Sequence, residues 1–242
     1  GTSTWHYLIS QPYVIGSYFL TFFLPLHLSA DTDWKPLETV LDGRFIVGVL
    51  FILALLGSSY LASLKKRHYP IALGFLWFLF ALVPTSSLIP LAEIKNDHRI
   101  FYPFIGLALS MSWGIGLLLV RGEEKIRANN FIASALPTCA AGLILAYGYG
   151  TYQRNIVWDT DASLWYDVTR KSPKNGRGLM NYGNTQMRAG NYDKARHYFN
   201  RALTLLPQYS YLHINMAILE NTTGHAERSE PYFKTALELD AY

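Results

Sequence analysis

The chain has 242 residues, of which half are hydrophobic and only 16% are charged, whereas a soluble domain carries roughly a quarter of charged residues. Its net charge of +4 is modest and lacks the dense basic patch of a nucleic-acid-binding protein, so no nucleic-acid partner is expected. One cysteine, Cys139, excludes an intrachain disulfide. The composition therefore indicates a membrane protein rather than a soluble domain.

The shortage of charge is confined to the first part of the chain. Stretches without Asp, Glu, Lys or Arg cover residues 7–30, 45–64, 69–92, 100–120 and 131–152. A transmembrane helix needs about 20 mostly apolar residues, and a helix satisfies its own backbone hydrogen bonds in lipid. The sequence therefore predicts an all-α fold in which residues 1–152 form a polytopic membrane bundle of four to five spans.

Two of these stretches are irregular. The segment 13–28 is rich in Tyr and Phe and contains Pro25, so it is predicted either to cross the membrane or to lie along its outer surface, where aromatic rings are favoured. In the third stretch, Pro84 and Pro90 bracket three hydroxyl-bearing residues. Because proline breaks the backbone hydrogen-bond ladder, we expect the helix to stop near Val83.

The loops between the stretches differ in charge. Residues 65–67 and the loop 121–127 are basic, which places them in the cytoplasm by the positive-inside rule. The loop 31–42 is acidic on balance and the loop 93–99 is mixed, so both are predicted outside. The chain is therefore expected to be a multi-pass protein of the bacterial inner membrane, with the region after residue 152 in the periplasm or an equivalent lumen.

Beyond residue 152 the sequence repeats with the period that is typical of a tetratricopeptide unit. The repeated positions are Asn181 and Asn215, Gly190 and Gly224, Phe199 and Phe233, and Ala202 and Ala236. Trp165 precedes Phe199 by the same period, which indicates the second helix of a preceding, degenerate unit. Residues 153–242 are therefore predicted to form a tetratricopeptide-repeat superhelix outside the membrane.

The first helix of each repeat is expected to line the concave face and to bind a protein or peptide partner. The predicted peptide-binding residues are Arg177, Asn181, Asn184, Arg188, Tyr211 and Asn215. A ladder of asparagines suits the backbone of an extended peptide, because each amide offers both donors and an acceptor. The alternative is that these amides bond to neighbouring turns or to water.

The mixed outer loop contains a basic cluster formed by Lys95, His98 and Arg99. Such side chains match phosphate oxygens through charge-assisted hydrogen bonds, so this cluster is the predicted lipid-phosphate site. The alternative is ordinary anchoring at the membrane interface, with Asp97 neutralising Arg99. Either way, membrane lipid is an expected partner.

Other acidic residues carry weaker signals. Asp31 and Asp33 have the D-x-D spacing of a metal motif, but a solvated acidic loop is favoured, and no metal site is expected. Asp159 and Asp161 are interpreted as caps of a helix that begins near Ala162. No arrangement of Ser, His, Cys or paired carboxylates indicates a hydrolase, and no catalytic residue is assigned.

Several short segments, taken in order, resemble those of transmembrane and tetratricopeptide-repeat-containing proteins and their bacterial relatives. They are LPLHLSAD at 24–31, VPTSS at 83–87, DHRIFYPFIG at 97–106, and the Trp158-Asp159 pair after the last span. The resemblance extends over nearly the whole chain.

The resemblance implies a multi-spanning glycosyltransferase of the C-type fold, which transfers a sugar from a polyprenyl-phosphate donor to an acceptor on the outer or luminal face. The catalytic carboxylate of such enzymes lies in a first external loop that has no counterpart in this chain. The expected function is therefore the C-terminal part of such an enzyme, which binds a polyprenyl-phosphate sugar donor, has no covalent cofactor and recruits a protein acceptor through its repeats. A non-enzymatic membrane scaffold, or an accessory subunit of an envelope complex, is the alternative.

Overall fold

The computed structural model describes residues 3–86, 91 and 93–240, and all the regular secondary structure in these residues is helical. The chain forms two compact units. The first comprises Gly1–Leu28 and Trp34–Thr151, and the second comprises Ser29–Asp33 and Tyr152–Tyr242. The second unit therefore contains the predicted repeat region together with a short segment that comes from the loop 31–42 and the residues just before it.

The helices of the first unit are long and are joined by short connections. They are α1 (Thr4–Phe23), α2 (Gly43–Ser63), α3 (Tyr69–Leu82), α4 (Phe101–Arg121), α5 (Glu123–Ala128) and α6 (Asn130–Val157), whose last residues belong to the second unit. Two short 3-10 turns, Lys66–His68 and Asp97–Arg99, precede α3 and α4.

Three of these helices, α2, α4 and α6, are long and apolar enough to cross a membrane. Many of their large apolar side chains are exposed, as expected of helices that face lipid. Helix α3 has 14 residues and ends at Leu82, next to the predicted stop at Val83. By helix length and composition, the described residues thus contain three candidate spans. This is fewer than the four to five spans that the sequence predicts.

Helices α3 and α4 cross with their backbones almost in contact. A Cβ atom built on Gly74 would lie 2.2 Å from the carbonyl oxygen of Gly106, and one on Gly106 would lie 2.4 Å from the carbonyl oxygen of Gly74. Next to this crossing, Ser110 Oγ donates to the carbonyl of Ile71 at 2.9 Å. Small residues and such interhelical hydrogen bonds are the usual means of helix association in lipid.

Helix α1 packs into the core of the first unit through aromatic side chains. Its buried residues Tyr7, Val14 and Tyr18 contact Phe78 of α3 and Leu107 of α4 in one hydrophobic cluster. The structure leaves both predictions for the segment 13–28 open, because α1 has 20 residues but does not reach the hydropathy of the three candidate spans.

The second unit is built from helical hairpins. Its helices are α7 (Asp161–Lys171), α8 (Gly176–Arg188), α9 (Tyr192–Leu205), α10 (Ser210–Thr222) and α11 (Ala226–Asp240). The turns after α8 and α10 contain Gly190 and Gly224, which adopt φ of 78° and 83°. Because only glycine takes this backbone conformation without strain, the structure confirms why glycine recurs at the same position of both repeats.

The start of α7 differs from the prediction. The helix begins at Asp161, and Thr160 caps it by accepting a hydrogen bond from the backbone N–H of Ser163 at 3.1 Å. The hydroxyl of Ser163 accepts in return from the backbone N–H of Thr160. This reciprocal capping box occupies the place that we assigned to Asp159 and Asp161, so that assignment was wrong.

We expect Gly74→Leu to separate α3 from α4, because the new side chain would meet the backbone of Gly106. Gly57→Leu in α2 is the matched control, since a Cβ at that position meets nothing within 4 Å. Disulfide cross-linking between cysteines introduced at Ile71 and Ser110 in the full chain measures the crossing. The yield should fall several-fold for Gly74→Leu alone. An equal yield in both variants contradicts the importance of the crossing.

We expect the two aromatic residues at the same repeat position to differ in their contribution to stability. Phe199 is fully buried and its ring lies against Gly183, whereas Phe233 is 41% exposed. Phe199→Ala should lower the free energy of unfolding of its hairpin by about 3–5 kcal/mol, and Phe233→Ala should lower it by about 1–2 kcal/mol. Hydrogen exchange of the α9 and α11 amides in the full chain measures both, and equal losses would refute the difference.

Candidate functional site

The predicted lipid-phosphate cluster lies on the loop that leads into α4, and this loop is anchored to α1. The hydroxyl of Tyr18 donates to the carbonyl of Asn96 at 3.1 Å and accepts from its backbone N–H at 2.8 Å. The side chain of Asn96 is buried and accepts from the backbone N–H of His98. These bonds hold the 3-10 turn Asp97–Arg99 in place at the start of α4.

Both basic ends of the cluster lie next to carboxylates. Arg99 donates to Glu93 at 2.7 Å, and Lys95 Nζ lies 3.7 Å from Asp97 Oδ1. The expectation that Asp97 neutralises Arg99 was therefore wrong, because the fold of the loop gives that role to Glu93. A phosphate that binds here must compete with these carboxylates, and the assignment of Lys95, His98 and Arg99 to lipid phosphate stays a prediction.

Aromatic rings complete the surroundings of Lys95. Its ammonium lies 5.0 Å from the ring centroid of Trp34 and 5.8 Å from that of Tyr18. Trp34 in turn stacks on Tyr13 with 5.3 Å between centroids. A cation over aromatic faces is attracted by their negative π-faces, so Lys95 is held in position. Trp34 was missed in the sequence, where only its place in a loop between two apolar stretches singled it out.

The segment Ser29–Asp33 folds with the repeats. Asp31 is 3% exposed, and its carboxylate accepts a hydrogen bond from Arg177 of α8 at 2.8 Å. The expectation of a solvated acidic loop was therefore wrong for Asp31. The residues are too far apart in the chain for any local pattern to pair them.

Further hydrogen bonds fasten the same segment to the start of α8. Asn175 donates from its amide nitrogen to the carbonyl of Thr32 at 2.9 Å, and its amide oxygen accepts from the backbone N–H of Gly178. The backbone N–H of Lys174 donates to Asp33 at 3.2 Å. The two carboxylates of the D-x-D spacing thus bind protein groups, and the described part of the chain contains no cluster of three or more potential metal ligands.

The predicted peptide-binding residues occupy α8 and α10, but their surroundings differ. Arg177 is bonded to Asp31, and Arg188 forms an exposed ion pair with Asp161 at 2.9 Å. Tyr211 is exposed. Their role in peptide binding stays a prediction.

The three asparagines of this set are half-buried. The amide oxygen of Asn184 is buried and accepts no hydrogen bond from any residue in the ranges 3–86, 91 and 93–240. An amide oxygen that is withdrawn from water without a partner is costly, and because it is buried this oxygen is not accessible to a peptide in this conformation.

A match to a family model agrees with the repeat architecture. A family described as Tetratricopeptide repeat matches residues 176–209, which contain α8 and α9. The solved structure of MamA from MSR-1 is 20% identical and covers 79% of this chain and 97% of its own, with a TM-score of 0.33. At this TM-score the likeness carries no argument about fold or function.

Curated relatives are similar over most of the chain. Human Protein O-mannosyl-transferase TMTC1 is 28% identical over an alignment of 224 residues, and the match covers 87% of this chain and 25% of that protein. Protein O-mannosyl-transferase Tmtc3 of Drosophila melanogaster is 25% identical over an alignment of 202 residues, and the match covers 81% of this chain and 21% of that protein. The chain thus spans about a quarter of the length of the relatives that it matches.

We expect Asp31→Ala to loosen the start of α8, because it leaves Arg177 without its carboxylate. A hydrogen bond to a charged group contributes about 1.5–3 kcal/mol, which corresponds to roughly 10- to 100-fold faster exchange of the backbone amides at 175–179 in the full chain. Asp161→Ala is the matched control, since it breaks an ion pair in which both side chains are 64% exposed. Equal effects in the two variants would refute a structural role for Asp31.

Proposed function

We propose that the chain is the C-terminal part of a membrane-bound protein O-mannosyltransferase. In this proposal the outer loop contacts the phosphate of a polyprenyl-phosphate-linked mannose, and the repeats bind the acceptor protein. The observation that carries the proposal is the similarity to proteins named O-mannosyl-transferases, which extends over 87% of the chain and so includes both the apolar helices and the repeats. A repeat domain alone would not produce similarity over the apolar helices.

The charge distribution supports a fourth crossing by α3. Basic residues follow α2 at 65–67 and follow α4 at 121–127, so the positive-inside rule puts both loops on one side. Because α4 starts on the opposite side, the chain must cross between these points. Helix α3 is about 21 Å long, which is shorter than the roughly 30 Å hydrocarbon core, so α3 alone does not account for the whole crossing.

With these four crossings the repeats lie on the non-cytoplasmic side of the membrane. This side is the periplasm if the membrane is a bacterial inner membrane, or else an equivalent lumen. The loop at 93–99 lies on the same side, at the start of α4. The proposed donor phosphate and the proposed acceptor domain are therefore both outside the cytoplasm. A fifth span would be α1, whose position the proposal leaves open.

The chemistry of the transfer would give the basic residues of this mixed outer loop a role. The hydroxyl oxygen of the acceptor forms a bond to the anomeric carbon of mannose, and the bond from that carbon to the phosphate oxygen breaks. Negative charge develops on the leaving phosphate, which guanidinium and ammonium groups stabilise. The proton of the hydroxyl passes to a base that we do not assign to any residue of this chain.

Arg99 is the best placed of the three basic residues to contact the phosphate. A guanidinium has five N–H donors, and in the described part of the chain its side-chain hydrogen bond is to Glu93. Lys95 is enclosed by aromatic rings and Asp97, and only 13% of its side chain is exposed. His98 is exposed. In this proposal Arg99 contacts the phosphate directly and His98 adds a weaker contact. Lys95 contributes positive charge without touching the phosphate.

The repeats offer a place for an extended acceptor peptide. Asn181 and Asn215 occupy the same position in consecutive repeats, and the described residues make no hydrogen bond to either side chain. Two such amides one repeat apart can bind the backbone of one peptide at two points. This use of backbone rather than side-chain groups would allow several acceptor sequences.

The test is transfer of mannose by the full-length protein in membranes. Polyprenyl-phosphate mannose and an acceptor protein are supplied, and mass spectrometry measures the mannosylated acceptor. We expect Arg99→Ala to lower the rate about 100-fold or more, as for the loss of one donor to a developing anion. The protein should insert and assemble normally.

Arg44→Ala is the matched control for this experiment. Arg44 also binds a carboxylate at 2.7 Å, and its hydrogen bonds lower the pKa of Asp42 to about 2, but it lies at the start of α2 and outside the loop at 93–99. This variant should keep its full rate of transfer. Equal rates for Arg99→Ala and the unaltered protein would contradict the phosphate site.

A scaffold that binds proteins without transferring sugar is the second candidate. It is favoured by the carboxylates beside Lys95 and Arg99, which satisfy these cations without a ligand. The scaffold holds if the full-length protein transfers no mannose, yet captures a partner that the double variant Asn181→Ala and Asn215→Ala fails to capture.

A further inference from the structure

A groove runs along α4 at the end of the helix pair that is opposite to the loop at 93–99. It is a cavity of about 530 Å³ between the start of α3 and the second half of α4. Ile71, Gly114 and Leu118 form part of its apolar wall, and Arg67, His68 and Arg121 lie at its basic end. The outer loop contributes no residue to it.

The unequal lengths of the two helices create this groove. Trp113 Nε1 donates to the carbonyl of Arg67 at 2.6 Å, which places the start of α3 beside Trp113. Because α4 continues to Arg121, about two of its turns extend beyond α3. Gly114 faces Ile71 at the first of these turns and has no side chain to close the gap.

The two arginines at the groove lack carboxylate partners. Within residues 3–86, 91 and 93–240, neither Arg67 nor Arg121 forms an ion pair, although Arg127 on the next helix pairs with Glu123 at 2.6 Å. The residues that line the groove include no Asp or Glu. The basic end of the groove thus carries two guanidinium groups without an ion-pair partner among the described residues, and Arg67 Nε donates to His68 Nε2 at 3.3 Å.

We propose that this groove binds one anionic glycerophospholipid of the leaflet that faces the basic loops. Its phosphate lies between Arg67 and Arg121, and one acyl chain runs along the apolar wall. A guanidinium matches phosphate oxygens with two parallel hydrogen bonds, and basic pockets between membrane helices on the cytoplasmic side suit anionic headgroups. This inference does not depend on the proposed glycosyl transfer.

The size and charge of the groove favour a lipid over a helix of another protein segment. A helix about 10 Å wide fills about 400 Å³ per turn, so the cavity would take little more than one turn. A flexible acyl chain fills an elongated apolar space without leaving backbone groups to satisfy. The unneutralised arginines select a negative headgroup over a zwitterionic one.

Native mass spectrometry of the full-length protein tests the charge requirement. The detergent-solubilised protein is incubated with either phosphatidylglycerol or phosphatidylcholine. The spectrum then gives the number of lipid molecules that stay bound after the detergent is removed. We expect one phosphatidylglycerol to be retained at least 10-fold more strongly than phosphatidylcholine. The double variant Arg67→Gln and Arg121→Gln should lose this preference, whereas Arg127→Gln should keep it.

Filling the groove tests the position of the acyl chain. A Cβ at Gly114 lies 4.0 Å from Ile71 Cδ1, so Gly114→Leu directs a side chain into the groove without a backbone clash. Gly116→Leu is the matched control, since a Cβ there meets nothing within 4 Å and Gly116 does not line the groove. Gly114→Leu should lower phosphatidylglycerol retention about 10-fold, and Gly116→Leu should not change it.

Three outcomes overturn the proposal. They are equal retention of the two lipids, equal loss in Arg127→Gln and the arginine double variant, and unchanged retention in Gly114→Leu. A photo-cross-linker at Leu118 gives an independent answer: adducts with lipid support the proposal, and adducts with another protein segment show that a helix occupies the groove. If Gly114→Leu fails to fold, the arginine variants and the cross-linker still test whether an anionic lipid occupies the groove.

Discussion

The backbone contact between Gly74 and Gly106 is the constraint on which the first unit depends. In lipid, apolar side chains gain little by contacting each other, so helices associate through close packing and interhelical hydrogen bonds. The absence of two side chains brings α3 and α4 close enough for Ser110 to reach the carbonyl of Ile71. This contact sets the position of α3 along α4. It therefore also positions the loop at 93–99 at one end of the pair and the groove at the other.

The repeat unit depends on a different kind of interaction, a sheltered ion pair between residues that are distant in sequence. Taking Asp31 out of water is costly, and the hydrogen bond from Arg177 offsets that cost. Removing one partner is therefore more costly than replacing both by apolar residues of similar volume, because the remaining group stays buried. Because of this pair, the segment Ser29–Asp33, which lies between α1 and α2 in the chain, packs against the start of α8.

Sequence patterns predicted the features that recur with a period and missed the side-chain pairings that depend on how the chain folds. The repeat period located α8 to α11 and the glycines of their turns, because each repeat solves the same packing problem. Charge-free stretches located α2, α4 and α6. The pairing of Arg99 with Glu93 depends on how Tyr18 holds the loop, and the pairing of Asp31 with Arg177 depends on the tertiary fold. Neither leaves a local pattern.

The two ends of the α3–α4 pair differ in how their positive charges are neutralised, and this difference suits the two ligands proposed for them. At the outer end, an incoming phosphate must replace part of the interaction between Arg99 and Glu93, so binding is weakened by that competition and release is favoured. At the groove, no carboxylate is among the lining residues, so a bound anion meets less competition for Arg67 and Arg121. A donor that is consumed and replaced in each cycle needs the first arrangement, and a lipid that remains bound needs the second.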